Sequence, residues 1–292
     1  MKDQFNKGLL LTSLGSFWWG FIGVIYFQYV SFIGHIELVV HRCLWTAVML
    51  LLTTTFFSKW SLFKRIIKNK NYLFGLFISG FLIFINWAVW IYAVATERII
   101  DASFGYFIMP IISVLLGYIF FKEKLNKKRI FAIILVSISI LILIFFNLKS
   151  LPWVGLIVAF SWAFYNLIRK KINVDTEIGL LIESLYILPF ALVAFYYITK
   201  TGVNDFSFSN PGLSLFLILA GPMTVIPLFL YVRGVELIGL GPTGMIFYIT
   251  PTLQFILGYF YYNEDFSIIK FVSFIIIWIA VIIYLKDLYE TN

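Results

Sequence analysis

"SFGYFIMPIISVLLGYIFFKEK" occupies residues 103–124, and "GMIFYITPTLQFILGYFYYNED" occupies residues 244–265. At an offset of 141 the two stretches agree at Ile108/Ile249, Pro110/Pro251, Leu116/Leu257, Gly117/Gly258, Tyr118/Tyr259 and Glu123/Glu264. Six identities in 22 positions exceed the roughly two that average residue usage gives by chance. Both stretches are apolar helix candidates that carry a proline near the middle, so the chain repeats an unusual helix half a length later.

The composition fixes the setting of that repeat. Hydrophobic residues make up 62% of the 292 residues and charged residues 12%, about half the charged share of an ordinary soluble domain. The apolar residues come in runs long enough to cross a hydrocarbon core of about 30 Å. The reading is an all-α polytopic membrane protein, embedded in a lipid bilayer. The net charge of +8 does not point to nucleic acid, because the basic residues cluster at helix ends, where they act as topology signals. The single cysteine, Cys43, excludes an internal disulfide and reads as packing. The first apolar run follows lysines, but it is too long for a signal-peptide core and lacks a small-residue cleavage site, so it is expected to stay as the first span.

Apolar windows predict ten spans, near 8–30, 36–57, 73–95, 100–121, 129–147, 152–169, 178–199, 212–232, 241–262 and 267–286. With the N-terminus in the cytoplasm, seventeen Lys and Arg fall inside, at positions such as Lys64, Arg65, Lys127, Arg129 and Lys170. Four fall outside: Arg98, Lys149, Lys200 and Lys270. That asymmetry places both termini on the cytoplasmic side of the inner membrane.

The offset of 141 maps span 4 onto span 9. Five spans separate them, an odd number, so the second copy must run through the bilayer the opposite way. Residues 1–150 and 151–292 are therefore expected to form a 5+5 inverted-topology repeat, with a site between the halves that faces either side in turn.

Candidate site residues follow from polar and aromatic groups at membrane depth. Pro110 and Pro251 each remove a backbone donor and free the carbonyl four residues earlier, at Tyr106 and Phe247. Such carbonyls are tolerated beside a partner or a wet cavity, so spans 4 and 9 are expected to centre a binding cavity. The alternative is a pair of kinks satisfied by packing. Span 2 places Glu37, His41 and Trp45 on one face, with Arg42 beside it. An arginine at this depth costs about 2.5–3.5 kcal/mol on insertion scales unless it faces the protein interior or water. His41 reads either as a satisfied interior histidine or as a proton carrier.

Span 7 puts Glu183 at the equivalent position near the inner mouth. The expectation is one ionic latch per mouth: Glu183 with Arg169 inside, and Arg42 with Glu37, His41 or a neighbouring acid outside. A structural role for Glu183 stays open. Asn86 reads as a substrate donor or as helix glue. Trp87, Trp90, Trp162, Tyr165, Trp18 and Trp19 are candidate cavity walls, although interfacial belts claim many such aromatics. No nucleotide-binding, metalloprotease or serine-hydrolase motif occurs, so no cofactor is expected.

These blocks together resemble the EamA/RarD type of the drug/metabolite transporter superfamily over nearly the whole chain. The resemblance rests on His41-Arg42 with Trp45, Asn86-Trp87, Ser103 to Pro110, Tyr165 to Lys170, Glu183, "GPMTVIPL" from Gly221 and "YITPTLQF" from Tyr248. Two positions depart from the family pattern: Met109 stands where an Asn precedes the span 4 proline, and Phe247 where a Gln precedes Tyr248. The resemblance implies ten helices in two repeats and ATP-independent transport of a small metabolite. It adds Tyr106 and Tyr248 to the candidate substrate contacts. Glu183 and His41, titratable groups in a buried setting, make protons one candidate coupling ion, with uniport or exchange fitting equally well. The competing class, a membrane-embedded enzyme acting on a lipid or isoprenoid, would need acids or histidines clustered at one surface.

Overall fold

The computed structural model describes the backbone of residues 2–95, 99–147, 153–261 and 268–291. Arg98, Lys149 and Glu264, used above for orientation and repeat matching, lie outside the described residues, as does the expected boundary at 150/151. Among the described residues there is no strand. The chain runs through α1 (Lys2–Phe17), a π-helical turn (Trp18–Ile22), α2 (Gly23–Tyr29), α3 (His35–Phe56), α4 (Trp60–Ile67), α5 (Lys70–Ala95) and α6 (Ile99–Phe121). It continues through α7 (Lys127–Asn147), α8 (Trp153–Ile172), α9 (Thr176–Thr201), α10 (Pro211–Ile238), α11 (Leu240–Ile246), α12 (Ile249–Phe260) and α13 (Ile268–Thr291).

Helix is the only spanning form that closes its own backbone hydrogen bonds one segment at a time, and these apolar runs adopt it. Their limits are set by local polar groups. The Asp175 carboxylate accepts from Ile178 N–H and starts α9. Asn210 accepts from Leu213 N–H and starts α10, with Pro211 at its first turn. Large apolar side chains such as Phe74, Phe145, Phe190 and Tyr197 point outward and are exposed in the isolated chain, the surface expected against lipid.

Among the described residues, seven helical stretches are long and apolar enough to cross a membrane: Asp3–Tyr29, His35–Phe56, Lys70–Trp90, Lys127–Phe146, Thr176–Thr201, Pro211–Ile238 and Ile268–Thr291. Length and apolarity thus give seven spans where the sequence windows give ten. The three others fall short for visible reasons. The fully described part of α6 is the shorter apolar stretch Gly105–Phe121. α8 ends on Arg169, Lys170 and Lys171. α11 and α12 are separate helices of 7 and 12 residues.

The closest helix pairings are α1 with α10, α6 with α8, α5 with α8, α7 with α13, α3 with α10, α3 with α9, α6 with α11 and α5 with α9. Every one joins a helix before residue 148 to one after residue 152. The two parts of the chain interdigitate rather than stand side by side. In lipid, where apolar surface gains little by hiding from tails, such an arrangement rests on close packing and polar ties.

Two irregularities bear on the centre. Just before the π-helical turn, the Ser16 carbonyl accepts from Thr250 Oγ1 at 2.9 Å, so a side chain from α12 has entered the ladder of α1. In the second, α11 ends at Ile246 and α12 starts at Ile249. Pro251 has no N–H, and the Phe247 carbonyl is bonded instead by Thr250 N at 2.9 Å. α6, by contrast, passes Pro110 unbroken. The matched prolines therefore produce one broken helix and one continuous one. Gly244 lets the two elements meet, because a Cβ there would lie 3.0 Å from the Pro110 carbonyl oxygen.

Candidate functional site

Arg42 sits about 8 Å along α3 from Glu37, at 1.5 Å per residue, and is 7% exposed. Its Nε donates to Thr224 Oγ1 on α10 at 3.0 Å. The guanidinium lies over Trp87 at 4.6 Å and Phe27 at 5.3 Å from the ring centroids, cation–π contacts that partly offset burial of the charge. Among the described residues no carboxylate lies within ion-pair distance of it.

The expected Arg42–Glu37 latch is therefore not formed. Glu37 Oε1 instead accepts from the backbone N–H of Asp205 at 2.8 Å and of Phe206 at 3.2 Å, in the loop between α9 and α10. His41 Nδ1 accepts from Trp45 Nε1 at 3.1 Å. His41 Nε2 faces Glu37 Oε1 at 3.5 Å and completes no hydrogen bond. The His41 ring packs on Phe206 and Phe195. Glu37, His41 and Trp45 thus share one face as the spacing predicts, but their face closes on the α9–α10 loop.

Aromatic side chains from five elements meet next to Arg42. Trp162 on α8 packs edge-on against Trp19 at 5.1 Å, and Tyr231, Tyr165 and Phe247 lie 5.5–6.3 Å from it. Tyr106 on α6 joins through Phe247 at 5.8 Å. The adjoining cavity, lined by Thr46, Ile83, Trp87, Glu183, Ser184 and Val225, measures about 10 Å³, room for a single water at most. That cavity beside the junction is too small for an organic solute in this conformation.

A polar network closes the end of the bundle that carries the basic helix termini. Glu183 accepts from Ser79 Oγ at 2.5 Å and from Tyr165 Oη at 3.3 Å, and Arg169 Nη1 lies 3.6 Å from it. Arg169 Nη2 donates to the Thr176 carbonyl at 3.1 Å and lies 3.9 Å from Glu236. Thr176 Oγ1 donates to Glu236 at 2.8 Å. Gly179 leaves the space that the Arg169 guanidinium fills, since any Cβ there would overlap it. The Glu183–Arg169 pair expected from the sequence is present, but both members belong to the second half of the chain.

The ties that join the halves at this end are others. Besides Ser79–Glu183, Glu123 pairs with Lys170 at 3.1 Å and accepts from Leu240 N and Gly241 N at 2.8 and 2.9 Å. A carboxylate at the start of α11 also complements its helix dipole. Lys59, in the turn before α4, pairs with Glu177 at 2.7 Å and Asp175 at 3.4 Å. Burial pulls the Lys59 ammonium down, yet the Glu177 hydrogen bond and the two carboxylates outweigh it and hold Lys59 above its ordinary range.

Other expected site residues lie elsewhere. The Asn86 amide donates to the Val158 carbonyl at 2.9 Å and to Ser161 Oγ at 3.1 Å, which ties α5 to α8. Trp90 packs on Phe27, and Ala93 and Val154 lie against it. Tyr248 turns away from the junction and donates to the Phe107 carbonyl at 2.8 Å. It belongs to the core formed by α6, α7 and α13, where Phe274, Ile277 and Val136 surround it. Phe247 takes the junction position instead. Met109 is buried, and its sulfur accepts from Ser113 Oγ at 3.3 Å. Thr224, Tyr231, Glu123 and Glu236 were not singled out as site residues. The signals were present for two of them: Thr224 lies within "GPMTVIPL", and Glu123 is one of the repeated identities.

Comparison with known proteins accords with this architecture. The EamA-like transporter family matches twice, over residues 6–145 and 150–286. The chain is 34% identical over 289 residues to Protein RarD of Escherichia coli K12, covering 99% of this chain and 97% of that one. It is 33% identical over 282 residues to the uncharacterized transporter YojE of Bacillus subtilis, at 96% and 93% coverage. It is 33% identical over 287 residues to an uncharacterized transporter of Vibrio cholerae, at 98% and 94% coverage. A solved crystal structure with 12% identity shares the fold, with a TM-score of 0.71 over 95% of this chain and 96% of that one. The chain belongs to the EamA-like transporter family and is a multi-pass membrane transporter.

Proposed function

We propose that this EamA-family transporter moves a small organic metabolite across the cytoplasmic membrane by alternating access between two inverted five-helix halves, residues 1–150 and 151–292, with both termini cytoplasmic. Ten passes follow if α6, α8 and the α11–α12 pair each cross the bilayer. The observation that carries this reading is the symmetry of the helix pairings. If α1, α3, α5, α6 and α7 correspond to α8, α9, α10, α11–α12 and α13, then α1 with α10 is the counterpart of α5 with α8. In the same way α3 with α10 is the counterpart of α5 with α9, while α3–α9 and α7–α13 map onto themselves. A pairing pattern that exchanges with itself supplies two equivalent ways to open, one for each side of the membrane.

The closed ends fit the same reading. Ser79–Glu183, Glu123–Lys170 and Lys59–Glu177 bind the halves at one end, and Glu37 binds the α9–α10 loop at the other. Between them lies the aromatic junction beside Arg42. The test is flux. Purified protein in liposomes should give saturable counterflow of at least one compound from a panel of amino-acid-like and amphiphilic metabolites. Repeating the assay with and without a pH gradient separates proton coupling from uniport or exchange. Binding of a panel compound without translocation under any gradient would refute transport.

A further inference from the structure

Three arginines are buried among the described residues: Arg42, Arg129 and Arg169. Arg129 has Asp287 at 2.8 Å, and Arg169 has Glu183 and Glu236. Arg42 has no carboxylate among the described residues. The titratable side chains that act on it are Cys43, Tyr106 and Tyr26, all of types that are neutral at pH 7. An unpaired buried cation is costly and persists where something repays it.

The geometry points to an anion subsite at Arg42, one that receives the carboxylate of an amphiphilic aromatic monocarboxylate. This deepens the transport reading above and rests on it. A guanidinium carries five N–H donors, and Thr224 takes the one on Nε. The donors on the two terminal nitrogens have no acceptor among the described residues. Trp87 and Phe27 pack against the guanidinium, with their ring centroids 4.6 and 5.3 Å from its carbon, and neither side chain offers a hydrogen-bond acceptor, so the terminal N–H edge is left unpaired. That edge is the fork that meets a carboxylate through two parallel hydrogen bonds. One uncompensated positive charge matches one negative charge, which favours a monoanion over a dianionic phosphate ester. Trp87 at the guanidinium, Tyr106, which acts on it electrostatically, and Phe247, packed on Tyr106 at 5.8 Å, offer ring faces to the body of the same molecule. Thr46, one turn along α3 from Arg42, has a buried hydroxyl with no partner on the wall of the adjoining cavity, a further polar contact for a ligand once the junction opens. The pairing of Glu183 with Arg169 removes the competing attraction for a cation.

The experiment uses the full chain in neutral detergent with three probes of one shape: phenylacetate, phenylacetamide and phenethylamine. Thermal unfolding and tryptophan fluorescence report binding, the latter because Trp87 lies under the guanidinium. Phenylacetate should bind at least about tenfold more tightly than either neutral or cationic isostere, the scale of a charge-assisted hydrogen bond. Arg42→Gln should abolish that preference and Arg42→Lys should keep part of it. Should Arg42→Gln not fold, Thr224→Ala, which removes the acceptor that orients the guanidinium through Nε, should weaken phenylacetate and leave phenylacetamide unaffected. Equal binding of the three probes to the unaltered protein overturns the subsite, as does an unchanged preference in Arg42→Gln. The assay repeated in nanodiscs with and without phosphatidylglycerol separates the two sources of such an anion. Occupation by the lipid headgroup with no binding of phenylacetate also overturns the proposal. Flux without anion preference removes the subsite and leaves transport standing, whereas anion preference without flux does the reverse.

Discussion

At the scale of single residues, Glu183 shows how a buried charge is made tolerable. Its two oxygens share a serine hydroxyl, a tyrosine hydroxyl and a guanidinium, so ionisation does not leave it isolated. Glu183→Gln would keep the hydroxyl contacts and strand Arg169, which would then have the Thr176 carbonyl and, as its nearest carboxylate, Glu236 at 3.9 Å. Breaking a buried pair from one side costs about 3–5 kcal/mol, and the surviving Glu236 puts the expected loss at the low end, about 3 kcal/mol. The double variant Glu183→Gln/Arg169→Gln should recover part of it. Thermal unfolding of the two single variants and the double measures the coupling, and additive losses would mean the pair does not interact. The pairing is legible in the sequence because Arg169 lies in the last turn of α8 and Glu183 about two turns into α9, towards the same end of the bundle. The partners of Glu123 and Arg42 are not, because Leu240 and Thr224 lie 117 and 182 residues away and nothing local announces them.

At the scale of elements, local propensity explains the long helices, while their interruptions come from tertiary contact. The apolar windows fall on every long helix but miss more than a turn at the start of α1 and at the ends of α10 and α13. They could not anticipate the π-helical turn at Trp18–Ile22, because its cause is a hydroxyl from Thr250 bonding the Ser16 carbonyl. They also took residues 58–72 as a connection, where the structure has the short helix α4 between Lys59 and Lys68. Nor did the repeated prolines act alike. Pro251 coincides with a break and Pro110 does not, so a shared residue did not guarantee a shared conformation. The approach of α12 to the π-helical turn makes a quantitative claim. A Cβ on Gly20 would fall 2.8 Å from the Thr250 carbonyl oxygen, whereas one on Gly34 meets nothing within 4 Å. Gly20→Ala should therefore lose about 1–3 kcal/mol of stability to overpacking. Gly34→Ala should stay within about 0.5 kcal/mol of the unaltered protein. Equal thermal unfolding midpoints for the two would show that the close contact is not maintained in the bilayer.

At the scale of the whole molecule, the two closed ends make alternating access a statement about opposite signs. Glu123 fastens the first half to Lys170 and to the start of α11 at the basic end. Glu37 fastens α3 to the loop beyond α9 at the other. If the bundle rocks between two states, loosening one end should populate the state open there and depopulate the state open at the opposite face. The one cysteine of the chain, Cys43, provides the reporter: it is 4% exposed and belongs to the core around Trp87 and Trp162. In sealed vesicles of known orientation, a membrane-impermeant maleimide reaches it only through the face to which the reagent is added. Glu123→Ala should speed labelling from the basic face and slow it from the other, and Glu37→Ala should do the reverse. Removing a charge-assisted tie of about 1.5–3 kcal/mol implies a population ratio shifted by tenfold or more. Combining the two substitutions should return the balance of labelling towards that of the unaltered protein. Substitutions that raise labelling from both faces together would mean a loosened bundle without exchange between two states, and the inverted-half mechanism would fall.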